Sequence, residues 1–148
     1  MNQLPSFDGE RTISHDKIDF FADNGHVRIN QLCSKNELTH FSESLIRVGT
    51  DIAWNKDIPL EKQRTYDRAF HQSINLWKLD PIAKAFVTAK RFAHVAAQLL
   101  QVDGVRLYHD QLLNKKAQGG HTPWHQDAYY WPIKVSQAIT MWMPLVDI

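Results

Sequence analysis

Seven consecutive residues, His121-Thr122-Pro123-Trp124-His125-Gln126-Asp127, bring two imidazoles and a carboxylate into one short stretch. Gly119, Gly120 and Pro123 argue against a helix here, so His121 and His125 do not read as the metal-binding pair of a zinc protease. In an extended segment residues two apart share a side, and His125 and Asp127 then reach one cation. A neutral imidazole and a carboxylate, joined by a second histidine from elsewhere, make the facial triad that holds Fe(II) at three adjacent positions and leaves the others open. Those open positions accept a bidentate cosubstrate and oxygen. In a chain with 8 histidines the His-X-Asp spacing is a weak signal by itself, surface polar pairing being the usual alternative. Its context strengthens it: a strand-like run before, a glycine loop, and the aromatic cluster Tyr129-Tyr130-Trp131-Pro132 after.

The elements that must position these residues are legible as patterns. Met1 to Thr12, with Pro5 and Gly9 and no periodicity, reads as an extended or poorly ordered lead-in. A short amphipathic helix starts at Ser14 or His15 and stops at Asn24-Gly25, where glycine accepts the left-handed conformation. Val27 and Ile29 alternate as a short strand. Ser34 with Glu37 is a capping box, and Leu38, Phe41, Leu45 and Val48 supply the buried stripe of the helix that Gly49 closes. Thr50 to Arg68 is polar and broken by Pro59, a long loop or partial helix. Asp80-Pro81 opens the strongest helical pattern, running to Leu100 with a break near Thr88. From Val105 to Leu113 the period falls to two, which predicts a strand carrying His109, Gln111 and Leu113 on one face. Gln137 to Val146 is a second strand-like run. Helices first and strands later indicate an α+β domain or a barrel-like β core with helices on one side.

Composition bounds the functions. With 148 residues, 43% hydrophobic and 22% charged, the chain has the size and make-up of one globular domain. A net charge of +1 gives no global attraction to nucleic acid or an anionic membrane. No apolar run is long enough to span a bilayer. Cys33 is the single cysteine, so no internal disulfide forms, and the N-terminus lacks a secretion signal. A reducing cytoplasm is the expected compartment. Cys33 has no base partner for nucleophilic work. Lys115-Lys116 reads as solvated, and the aromatic cluster as packing rather than a substrate wall.

The run Arg106-Leu107-Tyr108-His109-Asp110-Gln111-Leu112-Leu113-Asn114-Lys115, then Gly119-Gly120, Pro123-Trp124-His125-Gln126-Asp127, and Trp142-Met143-Pro144-Leu145-Val146-Asp147 resembles the front half of a phytanoyl-CoA dioxygenase-type jelly roll. The opening helix, glycine and strand from Phe20 to Ile29 are similar to that family's N-terminal pattern, so the resemblance covers nearly the whole chain. It implies an α+β fold in which N-terminal helices pack on one side of a double-stranded β-helix, or cupin-like jelly roll. It also implies that His125 and Asp127 are catalytic ligands of Fe(II), and that Gln111 and Trp142 line the pocket of the cosubstrate 2-oxoglutarate. Gln126, between the ligands, falls to contacts around them or with substrate, and His121 is at most a neighbour of the ligands. The implied reaction is oxidative decarboxylation of 2-oxoglutarate coupled, with O2, to hydroxylation of a C–H bond in a small-molecule or acyl substrate. Arg64, Arg68, Gln72, Asn75 and Trp77 are candidates for substrate contact.

The family completes its metal site with a later histidine and follows it with an arginine for 2-oxoglutarate, and neither residue type follows His125 in this sequence. The expectation is therefore a single domain over residues 1–148 that is the N-terminal portion of a jelly roll. It is a fragment, a truncated product or half of a split protein, inactive alone until a second chain or a C-terminal segment completes the site. Two other readings stay open. One is a non-catalytic jelly-roll remnant that binds a partner or ligand; the other is a cupin-type enzyme using a different metal.

Overall fold

Local signals decide where the helices begin and end. A computed structural model describes residues 7–115, 122, 124–125, 127–133 and 138–147. Helix α1 spans His15–Asn24 and closes as its sequence requires, with Gly25 at φ +72° donating its N–H to the Phe21 carbonyl at 2.8 Å. Helix α2, Lys35–Asp51, opens on a reciprocal capping box. Ser34 N–H donates to Glu37 Oε2 at 2.7 Å, and Glu37 N–H donates to Ser34 Oγ at 3.2 Å. The helix does not stop at Gly49 as expected. Gly49 is buried inside it, because the close approach of Leu112 leaves no room there for a side chain.

Further along, the loop after α2 contains a 3-10 turn, Leu60–Lys62, and a short helix α3, Thr65–Ala69. Strand β1 follows at once, Phe70–Ile74, and then a 3-10 turn, Leu76–Lys78. Helices α4, Pro81–Val87, and α5, Lys90–Leu100, are separated at the expected break. Asp80 Oδ1 caps α4 by accepting from Ile82 N–H at 2.9 Å and Ala83 N–H at 2.8 Å. Strand β2 is Gln111–Lys115.

The chain divides into two compact units. The first comprises the described residues of Met1–Leu38, Thr88–Arg106 and His125–Ile148. Here α1 packs against α5, and Phe7, Ile13, Leu32, Phe92, Val95 and Leu99 are buried. The described part of the lead-in, from Phe7 on, is tied down. Phe7 meets Phe92 at 5.4 Å between ring centroids, Arg91 N–H donates to the Phe7 carbonyl at 3.0 Å, and Gln98 accepts from Ile13 N–H at 2.9 Å while donating to the Arg11 carbonyl at 2.8 Å. Val27 and Ile29 are half-buried and their neighbours exposed, as alternation predicts, yet they join no ladder. Alternation chooses faces; it does not supply a partner strand.

The second unit, Thr39–Val87 with Leu107–Trp124, holds the sheet. β1 and β2 pair antiparallel in the register Phe70↔Lys115, Gln72↔Leu113 and Ile74↔Gln111. Ser73 and Leu112 lie on the face toward α2: the Ser73 hydroxyl donates to the Gly49 carbonyl, and Asn114 Nδ2 donates to Thr50 Oγ1 at 3.1 Å. Buried Asn55 holds the loop to the sheet, donating to the carbonyls of Asp67 at 3.2 Å and Phe70 at 2.6 Å. Phe41, Leu45, Leu76, Ala83 and Phe86 complete this core.

Three strand expectations change. The strand expected over Val105 to Leu113 pairs only from Gln111. At Asp110 the carboxylate turns instead to cap the 3-10 turn, accepting from Leu76 N–H at 3.0 Å and Trp77 N–H at 3.2 Å. β1 was not anticipated, because Phe-His-Gln-Ser-Ile shows little contrast between its faces. The described part of the run from Gln137 to Val146 forms no ladder, and Gln137 itself lies outside the described residues. Helices and one two-stranded antiparallel sheet make an α+β protein; further strands of a jelly roll are not among the described residues. Among those residues no helix is long and apolar enough to cross a membrane.

Candidate metal centre

His125 lies outside regular structure, and Asp127 opens a single 3-10 turn, Asp127–Tyr129, closed by Tyr130 N–H donating to the Asp127 carbonyl at 2.9 Å. The turn replaces the extended geometry expected at Asp127, and the two side chains still converge: His125 Nε2 lies 3.3 Å from Asp127 Oδ1. Two donors bound at about 2.1 Å on perpendicular axes of one ion stand about 3 Å apart, so this pair suits adjacent corners of a coordination sphere. Each side chain is 43% exposed, which leaves the donors accessible. Among the described residues no third His, Cys, Asp or Glu joins them in a cluster. His121 and Gln126 lie outside the described residues.

A residue that the motif does not announce completes the local geometry. Thr140 Oγ1 donates to Asp127 Oδ2 at 2.7 Å, so the two carboxylate oxygens have different neighbours. Tyr130 presents its ring to His125 edge-on at 6.3 Å, and Tyr129 packs against Tyr130 at 5.3 Å. The expectation that this aromatic cluster is core packing does not hold for its first two members. Tyr129 and Tyr130 are 87% and 62% exposed, and Trp131 is half-buried.

The family model Phytanoyl-CoA dioxygenase (PhyH) matches residues 21–148. The chain belongs to the phytanoyl-CoA dioxygenase family. No curated protein and no solved structure matches it. Members of the phytanoyl-CoA dioxygenase family are in general Fe(II)- and 2-oxoglutarate-dependent oxygenases acting with O2 on small molecules.

The remaining residues singled out by sequence fall into the two units separately. Trp142 is in the unit of His125 and Asp127 and is 70% exposed. Gln111 is in the other unit, at the exposed start of β2 opposite Ile74. That unit also holds the five substrate-contact candidates. Arg64 Nε pairs with buried Asp67 at 3.1 Å and lies over the Trp54 ring at 5.8 Å. Arg68 Nε donates to the Gln63 carbonyl at 3.1 Å, and Trp77 Nε1 donates to Asn75 Oδ1 at 3.2 Å. Gln72 sits in β1 with its N–H donating to Asn55 Oδ1 at 3.4 Å. These bonds give Arg64, Arg68 and Asn75 structural duties that their sequence positions did not reveal. Burial, reinforced by the nearby Glu37 carboxylate and opposed by Arg91, pushes the Cys33 thiol up to about 11. A thiol held protonated is a poor nucleophile, in keeping with a packing role against Met143, whose sulfur is 3.9 Å away.

Proposed function

We propose that the chain carries two protein ligands, His125 and Asp127, of the iron centre of an Fe(II)- and 2-oxoglutarate-dependent dioxygenase built on a jelly roll. The observation that carries this reading is the 3.3 Å approach of His125 Nε2 to Asp127 Oδ1 within a family-typical motif. When bound, Fe(II) with 2-oxoglutarate and O2 supplies oxidative decarboxylation of the cosubstrate and hydroxylation of a substrate C–H bond. His125 offers a neutral nitrogen and Asp127 an anionic oxygen, a donor set suited to a divalent first-row cation with open positions. On the resemblance alone, Gln111 and Trp142 are assigned to 2-oxoglutarate: an amide to hydrogen-bond a carboxylate, and a flat indole to shield the cosubstrate from water. The substrate is a small molecule or an acyl compound. A third protein ligand must come from earlier in the chain or from residues outside 1–148, because no histidine follows His125.

The test is anaerobic titration of Fe(II) and 2-oxoglutarate into the full-length parent protein, followed by visible charge-transfer absorbance, with succinate measured after O2 is admitted. His125→Ala and Asp127→Ala are each expected to abolish the absorbance and to reduce succinate to background. Absorbance that survives both substitutions would overturn the ligand assignment.

A further inference from the structure

We propose that Thr140 is a positioning residue for this metal centre: its hydroxyl holds Asp127 Oδ2 so that Oδ1 alone is turned to the ion shared with His125. The inference rests on the ligand assignment above and adds the atom through which Asp127 binds.

A carboxylate has two equivalent oxygens until its surroundings distinguish them. Here they do. Oδ2 accepts the Thr140 hydroxyl at 2.7 Å, the short distance of a hydroxyl donating to an anion, whereas Oδ1 faces His125 Nε2 at 3.3 Å. An ion placed against His125 therefore meets Oδ1 first. Gripping both oxygens would occupy a further coordination position and displace the Thr140 bond. Keeping Asp127 monodentate preserves the open positions on which a bidentate cosubstrate and oxygen depend. Thr140 suits the task because its β-branched side chain has few rotamers, so the hydroxyl is presented with little loss of freedom. It also comes from a separate segment 13 residues downstream, so it fixes the carboxylate relative to more than its own turn.

A surface hydrogen bond without function would use the same geometry, and the experiment separates the two. Co(II) alone is titrated into the wild-type protein, Thr140→Val, Thr140→Ser and Asp127→Asn, with binding read from visible absorption and folding from thermal melts. Valine keeps the shape and loses the donor, while serine keeps the donor. Thr140→Val is expected to weaken Co(II) binding about tenfold at unchanged melting temperature, with Thr140→Ser close to wild type. Thr140→Ala reads the same loss should valine alter the melt. Equal Co(II) affinity in wild type and in the valine and alanine variants overturns the role of Thr140 and leaves the ligand assignment standing. Wild-type binding no tighter than that of Asp127→Asn overturns both.

Discussion

Glu37 shows how one side chain can serve a helix and an ion pair together. Its carboxylate accepts the Ser34 N–H, and it meets Arg91 Nη1 at 3.0 Å, with both side chains largely buried. Burial works to raise its pKa, but the Ser34 N–H and hydroxyl and the Arg91 guanidinium outweigh that and hold it below the usual value of 4.5. A carboxyl whose pKa falls on folding stabilises the native state above its unfolded pKa, and that contribution disappears as pH drops through the folded value. Glu37→Gln is therefore expected to cost about 1–2 kcal/mol near neutrality, the scale of a charge-assisted hydrogen bond. The gap to wild type should close as pH falls from the unfolded pKa through the lowered folded-state pKa, where the wild-type side chain becomes neutral as well. Urea melts of both proteins across that range check this; a gap independent of pH would assign the cost to packing. The Ser34/Glu37 pair was legible because it is local, three residues apart in one turn. Arg91 was not, since the partner lies 54 residues away and nothing in its neighbourhood marks it.

Among the elements, helix ends could be read from the chain and strand partners could not. Gly25, Ser34 and Asp80 each act on backbone groups within four residues, so spacing was enough to place α1, α2 and α4. Gly49 carries the opposite lesson. Glycine near the end of a helical pattern usually terminates it, but here it lets α2 approach β2, where an added Cβ would meet Leu112 Cγ at 3.2 Å and Cβ at 3.3 Å. Gly49→Ala gains up to about 1 kcal/mol in helix propensity and loses about 1–3 kcal/mol to overpacking, so a net loss is expected. Denaturant melts measure it. In a Leu112→Ala background the same substitution should cost less, because the obstructing side chain is gone; additive costs would show that the two positions do not meet. β1 was missed for a related reason, its Phe70-to-Ile74 run being specified by β2 and by Asn55 rather than by its own alternation.

For the whole molecule, the chain belongs to a family whose members are in general oxygenases acting on small molecules, and its net charge of +1 gives no global attraction to a polyanion. Gln111 and Trp142 are both exposed, so replacing either by alanine should change stability by no more than about 0.5 kcal/mol. Each replacement is expected to weaken 2-oxoglutarate binding about tenfold, the loss of one contact worth about 1.4 kcal/mol. Calorimetry of the metal-loaded protein measures this, and undiminished affinity in both variants removes them from the cosubstrate site. The chain by itself determined both ends of α1, the starts of α2 and α4 and the closeness of His125 to Asp127, because each depends on residues near one another in sequence, and its motifs together gave the family. Only the tertiary structure decided that Leu112 covers Gly49, that Arg91 answers Glu37 and that Thr140 holds the far oxygen of Asp127. Those contacts join segments whose separation is closed by packing, and no local periodicity records which distant side chain will arrive.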